Sequence, residues 1–258
     1  MSDQALLRTE RLSIGHGTRA LMRDIGLAIA PGELTAMLGA NGIGKSTLLR
    51  TLAGLLPAID GDVFIGDRSM RTMSTAERAR SVSIVLTGRP QTGMLDVGSL
   101  VSLGRQPWTG RWGTLTPSDE EAVDRALELT GAGHLRHKAL GTCSDGECQK
   151  VLIARALAQA TPVLLLDEPT AFLDLPNRAG IVRMLRAIAL EQGKAVLFST
   201  HDLQLALDLC DRVLLLRPDA PLWQGTPAEA MASGGLAQAF SGTGIRFDQA
   251  SGTHRFDR

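Results

Sequence analysis

A glycine-rich loop between an apolar run and a helical segment constrains the fold of this chain more than any other sequence feature. Residues 39–47 read Gly-Ala-Asn-Gly-Ile-Gly-Lys-Ser-Thr and match the pattern G-x-x-x-x-G-K followed by Ser or Thr. The apolar run Leu34–Leu38 precedes the loop, and a helix is predicted from Lys45 to about Leu55. A strand, loop and helix in this order form a unit of an α/β sheet. The chain has 258 residues, 44% of them hydrophobic, which is enough to bury a core around such a sheet.

The residues of this loop have the chemistry of a phosphate-binding site. Glycines let successive backbone N–H groups turn towards phosphate oxygens, and the helix N-terminus adds partial positive charge. We expect Lys45 to bridge the β- and γ-phosphates of a nucleoside triphosphate and the Ser46 hydroxyl to ligate Mg²⁺. An ordinary glycine-rich turn is the alternative, and the full match in its strand-to-helix context argues against it. The predicted nucleotide-binding residues of the loop are Gly39, Asn41, Gly42, Gly44, Lys45, Ser46 and Thr47.

A pair of carboxylates follows a second apolar run. Asp167 and Glu168 come directly after Val163–Leu166. We expect Asp167 to hold Mg²⁺ through water, and Glu168 to orient or deprotonate the attacking water. Two solvated loop carboxylates would explain an isolated pair equally well. In a chain that also carries the Lys45 loop, the metal and base interpretation is favoured.

The remaining pattern predicts an α/β core with additions. Short aliphatic runs at 163–167, 195–199 and 212–216, separated by helical stretches, predict buried parallel strands. The first 35 residues alternate β-type runs with glycine-containing turns, which predicts an antiparallel β layer. Helical signals dominate from about residue 89 to residue 160, with an N-cap cluster at 116–119 before a helix to Leu129. The fold class is therefore α/β, a P-loop core of mostly parallel sheet with flanking helices, an N-terminal antiparallel layer and a helical insertion. We expect one domain over 1–258, divided into a nucleotide-binding core at 1–88 and 161–240, a helical subdomain at 89–160 and a C-terminal β extension at 241–258.

A capping pattern opens the helical run that begins near residue 145. Ser144 is predicted as the N-cap and Glu147 as the third helical residue of a capping box. A capped N-terminus also attracts anions, so a structural role and a phosphate-binding role are compatible.

Five motifs along the chain stand in the order found in ABC-type ATPases. They resemble the Walker A, signature, Walker B, D-loop and H-loop segments of that family, and the resemblance covers nearly the whole chain. The corresponding segments are Gly39–Thr47, Cys143–Glu147, Asp167–Glu168, Ala171–Asp174 and Ser199–Asp202.

The resemblance implies ATP and Mg²⁺ as ligands and a head-to-tail homodimer that encloses two ATP molecules. Each ATP would lie between the Walker motifs of one subunit and the signature helix of the other. Ser144, Gly146 and Glu147 would then contribute to the partner's nucleotide site, with Ser144 and Gly146 at the γ-phosphate. His201 would contact the γ-phosphate, and Asp174 would line the dimer seam. In isolation, a cap-adjacent histidine and a helix N-cap would explain the last two residues.

The sequence departs from the family pattern at several positions. His16 stands where an aromatic residue, usually Tyr, stacks on adenine, and the chain has no Tyr. Thr87 stands where the Q-loop Gln is expected, and Gln91 lies four residues later. We predict Thr87 as a metal contact, with Gln91 as the alternative. Cys143 and Cys148 replace usual signature residues, and we interpret them as ordinary small residues.

Less specific stretches resemble one subgroup of the family. They are similar to segments of the ATPase subunits of importers for iron chelates, haem and cobalamin. The stretches are Leu103–Pro107 with the Gly- and Trp-containing stretch after it, Ala156–Pro162, and the ending from Phe240 to Phe256. We therefore predict an ATP-hydrolysing importer subunit that docks on a two-copy membrane permease fed by a substrate-binding protein. The alternatives are a soluble ABC ATPase acting on ribosomes or DNA, the ATPase of an exporter, and a P-loop kinase or GTPase. A kinase or GTPase would not need the signature run or His201.

Composition bears on the partners and the location. Lys and Arg total 27, as do Asp and Glu, so the zero net charge gives no footprint for nucleic acid or anionic lipid. Three cysteines, an odd number, suit a reducing compartment, and Cys210 is expected in the core. The start of the chain lacks the pattern of a signal peptide, and Val163–Leu166 is far too short to cross a bilayer. We expect a peripheral protein, held by its permease at the cytoplasmic face of the inner or plasma membrane.

Overall fold

A computed structural model describes residues 5–88, 95–110, 112–218, 220–236, 245–248 and 253–256. The strands are β1 (Leu7–His16), β2 (Arg19–Ile25), β3 (Ala28–Ile29), β4 (Leu34–Leu38), β5 (Asp60–Ile65), β6 (Arg68–Ser69), β7 (Val82–Val85), β8 (Val163–Leu166), β9 (Ala195–Ser199), β10 (Arg212–Leu215), β11 (Trp223–Gly225), β12 (Ile245–Asp248) and β13 (Thr253–Phe256). The helices are α1 (Lys45–Leu52), α2 (Thr75–Ser81), α3 (Val97–Ser102), α4 (Pro117–Leu129), α5 (Asp145–Ala158), α6 (Leu175–Gln192), α7 (Leu203–Leu209) and α8 (Pro227–Ala232).

A six-stranded sheet lies at the centre, in the order β11-β10-β4-β9-β8-β7. All of its strands except β11 pair in parallel. Every residue of β4, β8 and β9 is buried, because helices cover one face of the sheet, and α1 together with the N-terminal strands covers the other. The predicted parallel strands are confirmed as β8, β9 and β10, each within one residue of the expected bounds.

The predicted antiparallel layer at the start of the chain is also confirmed. Strand β1 pairs antiparallel with β2, β3 and β5, and β6 continues the sheet beyond β5. Helix α1 begins at Lys45 as predicted but ends at Leu52, one turn earlier than the expected Leu55. The helix ends in a wider turn, in which the Leu55 N–H donates to the carbonyl of Arg50.

Helices α3, α4 and α5 pack together and share a hydrophobic core with the central sheet. The predicted cap cluster is confirmed, because Thr116 caps α4 in a capping box with Asp119. A buried ion pair links the three helices: Arg105, just after α3, donates from Nε to Asp119 Oδ1 at 2.9 Å and from its guanidinium to the carbonyl of Ala158 at 2.7 Å. The helical region is thereby fixed to the end of α5.

Strands β12 and β13 pair antiparallel near the end of the sequence. In the part of the chain that the structure describes, no helix is both long enough and apolar enough to cross a bilayer.

Candidate nucleotide site

Four neighbouring parallel strands bring the predicted motifs to one edge of the central sheet. In the order β4, β9, β8 and β7, their carboxyl ends carry segments that are far apart in the sequence. Residues outside the carboxyl ends of such strands form the usual ligand site of α/β sheets. The segments are the loop 39–44, residues 199–202, residues 167–168 and Thr87.

The loop after β4 is shaped by its glycines. A Cβ added to Gly39 would lie 2.8 Å from the carbonyl oxygen of Leu216, so only glycine lets the loop pass beside that residue. Gly44 is the N-cap of α1 with a φ of 113°, a conformation that side chains oppose. No side chain caps α1, and its first turn holds no acidic residue. The N-terminal N–H groups of this helix therefore suit an anion from outside the chain.

Lys45 is buried between the loop and the two predicted carboxylates. Its Nζ donates to the carbonyl oxygens of Gly39 at 2.8 Å and Ala40 at 3.2 Å. Burial lowers the pKa of Lys45, and the charges of Glu168 and Asp167 oppose that shift. The cation predicted for the phosphates thus lies within electrostatic reach of both acids.

The two carboxylates after β8 have different surroundings. Asp167 is buried, and its Oδ1 accepts a hydrogen bond of 2.8 Å from the Ser199 hydroxyl. The Glu168 side chain is partly exposed, and its Oε2 lies 3.9 Å from Nδ1 of His201. A buried, hydrogen-bonded acid beside a partly exposed one fits the predicted division between metal binding and base catalysis.

The Thr87 hydroxyl donates to the carbonyl oxygen of Asp167 at 2.7 Å. Sequence reasoning did not foresee this contact. The predicted contact of Thr87 with Mg²⁺ stays a prediction, and Gln91 lies outside the described residues.

The capping box predicted at the start of α5 is confirmed. The Glu147 N–H donates to Ser144 Oγ at 3.3 Å, and the Ser144 N–H donates to Glu147 Oε2 at 2.9 Å. Lys138 donates to the same carboxylate at 2.8 Å and, with Ser144, lowers the pKa of Glu147. Ser144 itself is exposed at the helix N-terminus.

The starts of α5 and α6 lie side by side. Asp174 caps α6 by accepting the Asn177 N–H at 3.0 Å, and a Cβ added to Gly146 would lie 3.7 Å from the Asn177 side chain. A cavity of about 180 Å³ lies between α5 and the Glu168 loop, and Thr87 and Cys148 are among its lining residues. The signature-like and D-loop-like segments therefore adjoin the carboxylate edge.

His16 ends β1 and is exposed. The hairpin of β1 and β2 lies beside the glycine loop, because Ile14 and Leu21 approach the Cβ position of Gly44 to about 4.0 Å. Stacking of His16 on adenine stays a prediction.

The three cysteines are buried and form no disulfide. Cys210 belongs to the core, as predicted, and burial raises the pKa of its thiol.

Comparison with known proteins identifies the family in which this arrangement of residues occurs. The family model described as ABC transporter matches residues 22–171, more than half of the chain. The chain belongs to the ABC transporter family. As a member of that family it is a nucleotide-binding ATPase, and its fold is the predicted P-loop α/β fold.

Individual ABC proteins align over almost the full chain. The iron(3+)-hydroxamate import ATP-binding protein FhuC of Bacillus subtilis is 36% identical, over 91% of this chain and 87% of that protein. The hemin import ATP-binding protein HmuV of Pseudomonas fluorescens is 38% identical, over 91% of this chain and 92% of that protein. A solved inward-facing ABC transporter of the metal-chelate type superposes with a TM-score of 0.80 at 26% identity, over 92% of this chain and 89% of the other.

Sequence reasoning gave no role to Ser199, which contacts both members of the acidic pair. It ends β9, a strand that otherwise reads Ala-Val-Leu-Phe. A single hydroxyl at the carboxyl end of an apolar strand was the available signal.

Proposed function

We propose that this ABC ATPase powers the import of an iron-siderophore, haem or cobalamin through a separate, two-copy membrane permease fed by a substrate-binding protein. The meeting of Lys45, Asp167, Glu168 and His201 at one sheet edge is the observation that supports ATP hydrolysis by these residues. The names of relatives at 36% and 38% identity support import of an iron chelate or haem. The protein would act at the cytoplasmic face, held by the permease.

The residues present fit Mg²⁺. Proteins hold this ion through one or two carboxylates together with substrate phosphates, and Asp167 and the Ser46 hydroxyl would be its protein ligands. Ser199 is the described residue that donates to the Asp167 carboxylate, and it engages Oδ1. The bound ion would neutralise charge that develops on the β- and γ-phosphates. Thr87 is proposed as a further contact.

The chain's own groups divide the work of hydrolysis. Lys45 and the first N–H groups of α1 bind the phosphates and stabilise their charge. The Glu168 carboxylate accepts the proton of the attacking water, and His201, 3.9 Å from Glu168, contacts the γ-phosphate. His16 stacks on the adenine.

A second copy of the chain completes the site. Ser144, Gly146 and Glu147 at the exposed start of α5 bind the partner's nucleotide, and Asp174 lines the seam. The juxtaposition of Gly146 and Asn177 supports this, because it places both segments on one surface.

Replacement of Glu168 by Gln tests the catalytic assignment. Gln keeps the shape but cannot take a proton, so ATP should bind and persist while turnover falls; Lys45→Ala should weaken ATP binding itself. ATP affinity and steady-state turnover are measured for both variants. Turnover of Glu168→Gln within about threefold of the parent rate would contradict the assignment of the base.

Purification with the permease tests the cargo. The protein is co-expressed with its permease and binding protein, and the bound compound is identified by absorption and mass spectrometry. We expect a siderophore, haem or cobalamin, and ATP turnover that rises when that compound is supplied on the binding protein. A complex that binds and transports none of the three would refute the proposed cargo.

A further inference from the structure

Two hydroxyl groups hold the peptide unit that joins Asp167 to Glu168. Thr87 Oγ1 donates to its carbonyl oxygen at 2.7 Å, and its N–H donates to Ser199 Oγ at 2.9 Å. The carbonyl of residue 167 and the N–H of residue 168 belong to one rigid plane. Both polar ends of a single peptide are therefore bound by side chains.

The two hydroxyls come from opposite sides. Strand β8 lies between β7 and β9, Thr87 follows β7, and Ser199 is the last residue of β9. The Asp167 N–H still donates to the carbonyl of Val85 at 2.8 Å, which continues the ladder between β7 and β8. Beyond that bond, the Asp167–Glu168 peptide is hydrogen-bonded by side chains, whereas peptides within the sheet are hydrogen-bonded by the backbones of neighbouring strands.

The backbone at this point needs such support. Glu168 has a φ of 48°, in the left-handed region that residues with a Cβ seldom adopt. A conformation of this kind persists when the surroundings hold it, and it is common where side chains must be aimed. Rotation of the peptide would change φ of Glu168 and ψ of Asp167, and any part of those two changes that does not cancel would turn one carboxylate relative to the other.

Ser199 also binds one carboxylate directly. The same hydroxyl that accepts the Glu168 N–H donates to Asp167 Oδ1 at 2.8 Å, and the residue is fully buried. Thr87 is exposed. The buried hydroxyl thus fixes the acid and the peptide, and the exposed one fixes the other end of the peptide.

We propose that Thr87 and Ser199 are positioning residues that fix the Asp167–Glu168 peptide, and through it the relative orientation of the metal-binding and proton-accepting carboxylates. The proposal rests on the roles proposed above for those two acids. It gives Thr87 a part in hydrolysis through the backbone of Asp167. The loop after β7 and the end of β9 then both act on the same catalytic pair.

Removal of each hydroxyl tests the proposal. Thr87→Val and Ser199→Ala should lower kcat at least about tenfold while KM for ATP stays within about twofold, because misplaced catalytic groups slow the reaction more than they weaken binding. Thr87→Ser keeps a hydroxyl and should restore kcat to within about threefold of the parent. Thr87 is exposed, so its Val and Ser variants decide the test even if Ser199→Ala reduces folding.

Ser83→Ala is the matched control. Ser83 is a buried residue of β7, near the opposite ends of the same two strands. Its hydroxyl donates to the carbonyl oxygen of Val163 at 3.4 Å and accepts from the Thr161 hydroxyl at 2.9 Å. It should lower the melting temperature without a fall in kcat. A fall in kcat for Thr87→Val no larger than that for Ser83→Ala, or a failure of Thr87→Ser to restore kcat, would overturn the proposal. Glu168→Gln is measured alongside: if it retains turnover, the assignment of the base fails, and if it alone loses turnover, the positioning role fails.

Discussion

One substitution can separate the cap that Ser144 makes from the phosphate contact that we propose for it. As the N-cap of α5 it accepts the Glu147 N–H, and loss of such a cap costs about 1 kcal/mol and a few degrees of melting temperature. As a proposed phosphate contact in the partner's site, it should matter far more for turnover. We therefore expect Ser144→Ala to lose most of its ATP turnover with only a small fall in melting temperature.

Ser74 supplies the control for that prediction. It caps α2 in a capping box with the same 3.3 Å contact, here from the Glu77 N–H to Ser74 Oγ, and it has no place in the nucleotide site. Ser74→Ala should show a similar fall in melting temperature and unchanged turnover. Equal turnover of the Ser144 and Ser74 variants would leave Ser144 with the cap alone.

Among individual residues, sequence reasoning missed the hydrogen bonds that side chains make to the backbone of a neighbouring strand. The bond from Thr87 to Asp167 joins residues 80 positions apart, and its acceptor is a carbonyl that every residue type possesses. No pattern of residue types records such a bond. The caps at Ser144 and Thr116 were predictable because their partners lie three residues away in the sequence.

At the scale of elements, the ion pair of Arg105 and Asp119 holds the helical region together in a way that depends on pH. Hydrogen bonds from Thr116 and Arg105 lower the pKa of Asp119 to about 2. The unfolded chain protonates this residue at about 3.9, so the stabilisation is complete above that pH and is lost as the pH falls through about 2.

Asp119→Asn tests this linkage. We expect the parent to be more stable than the variant at pH 7 and the difference to shrink as the pH is lowered from 5 towards 3, with urea unfolding midpoints as the measurement. Glu120→Gln, at the next and exposed position of α4, controls for removal of a carboxylate from the first helical turn. A stability difference that does not change with pH would contradict the role assigned to the Asp119 carboxylate.

The helices and strands that sequence reasoning predicted are more buried than those that it missed. Strands β4, β8 and β9 are buried on both faces, so they read as uninterrupted apolar runs and were predicted closely. Helix α2 has no buried residue and therefore no apolar periodicity, and it was not predicted. Its capping box of Ser74 and Glu77 was the one signal present. Strand β5 begins Asp-Gly-Asp, a composition that indicates a turn more strongly than a strand.

At the scale of the whole molecule, the proposed dimer has a consequence that mixed subunits reveal. In the proposed twofold-symmetric pair, each site would take its Walker residues from one copy and its signature residues from the other. A copy that lacks Lys45 and a copy with a blocked signature would then each be inactive as homodimers. A dimer of one copy of each type places both defects in one site and leaves the other site native.

Lys45→Ala and Gly146→Asp are suited to this test. A Cβ at Gly146 meets nothing closer than 3.7 Å, so the backbone there has room for a side chain, and the added carboxylate would repel phosphate. When the two variants are mixed in equal amounts and allowed to exchange subunits, half of the dimers are mixed and each has one native site of two. If the two sites hydrolyse ATP independently, we expect about one quarter of the parent ATP turnover. If each subunit hydrolysed ATP with its own residues alone, the mixture would be as inactive as either variant.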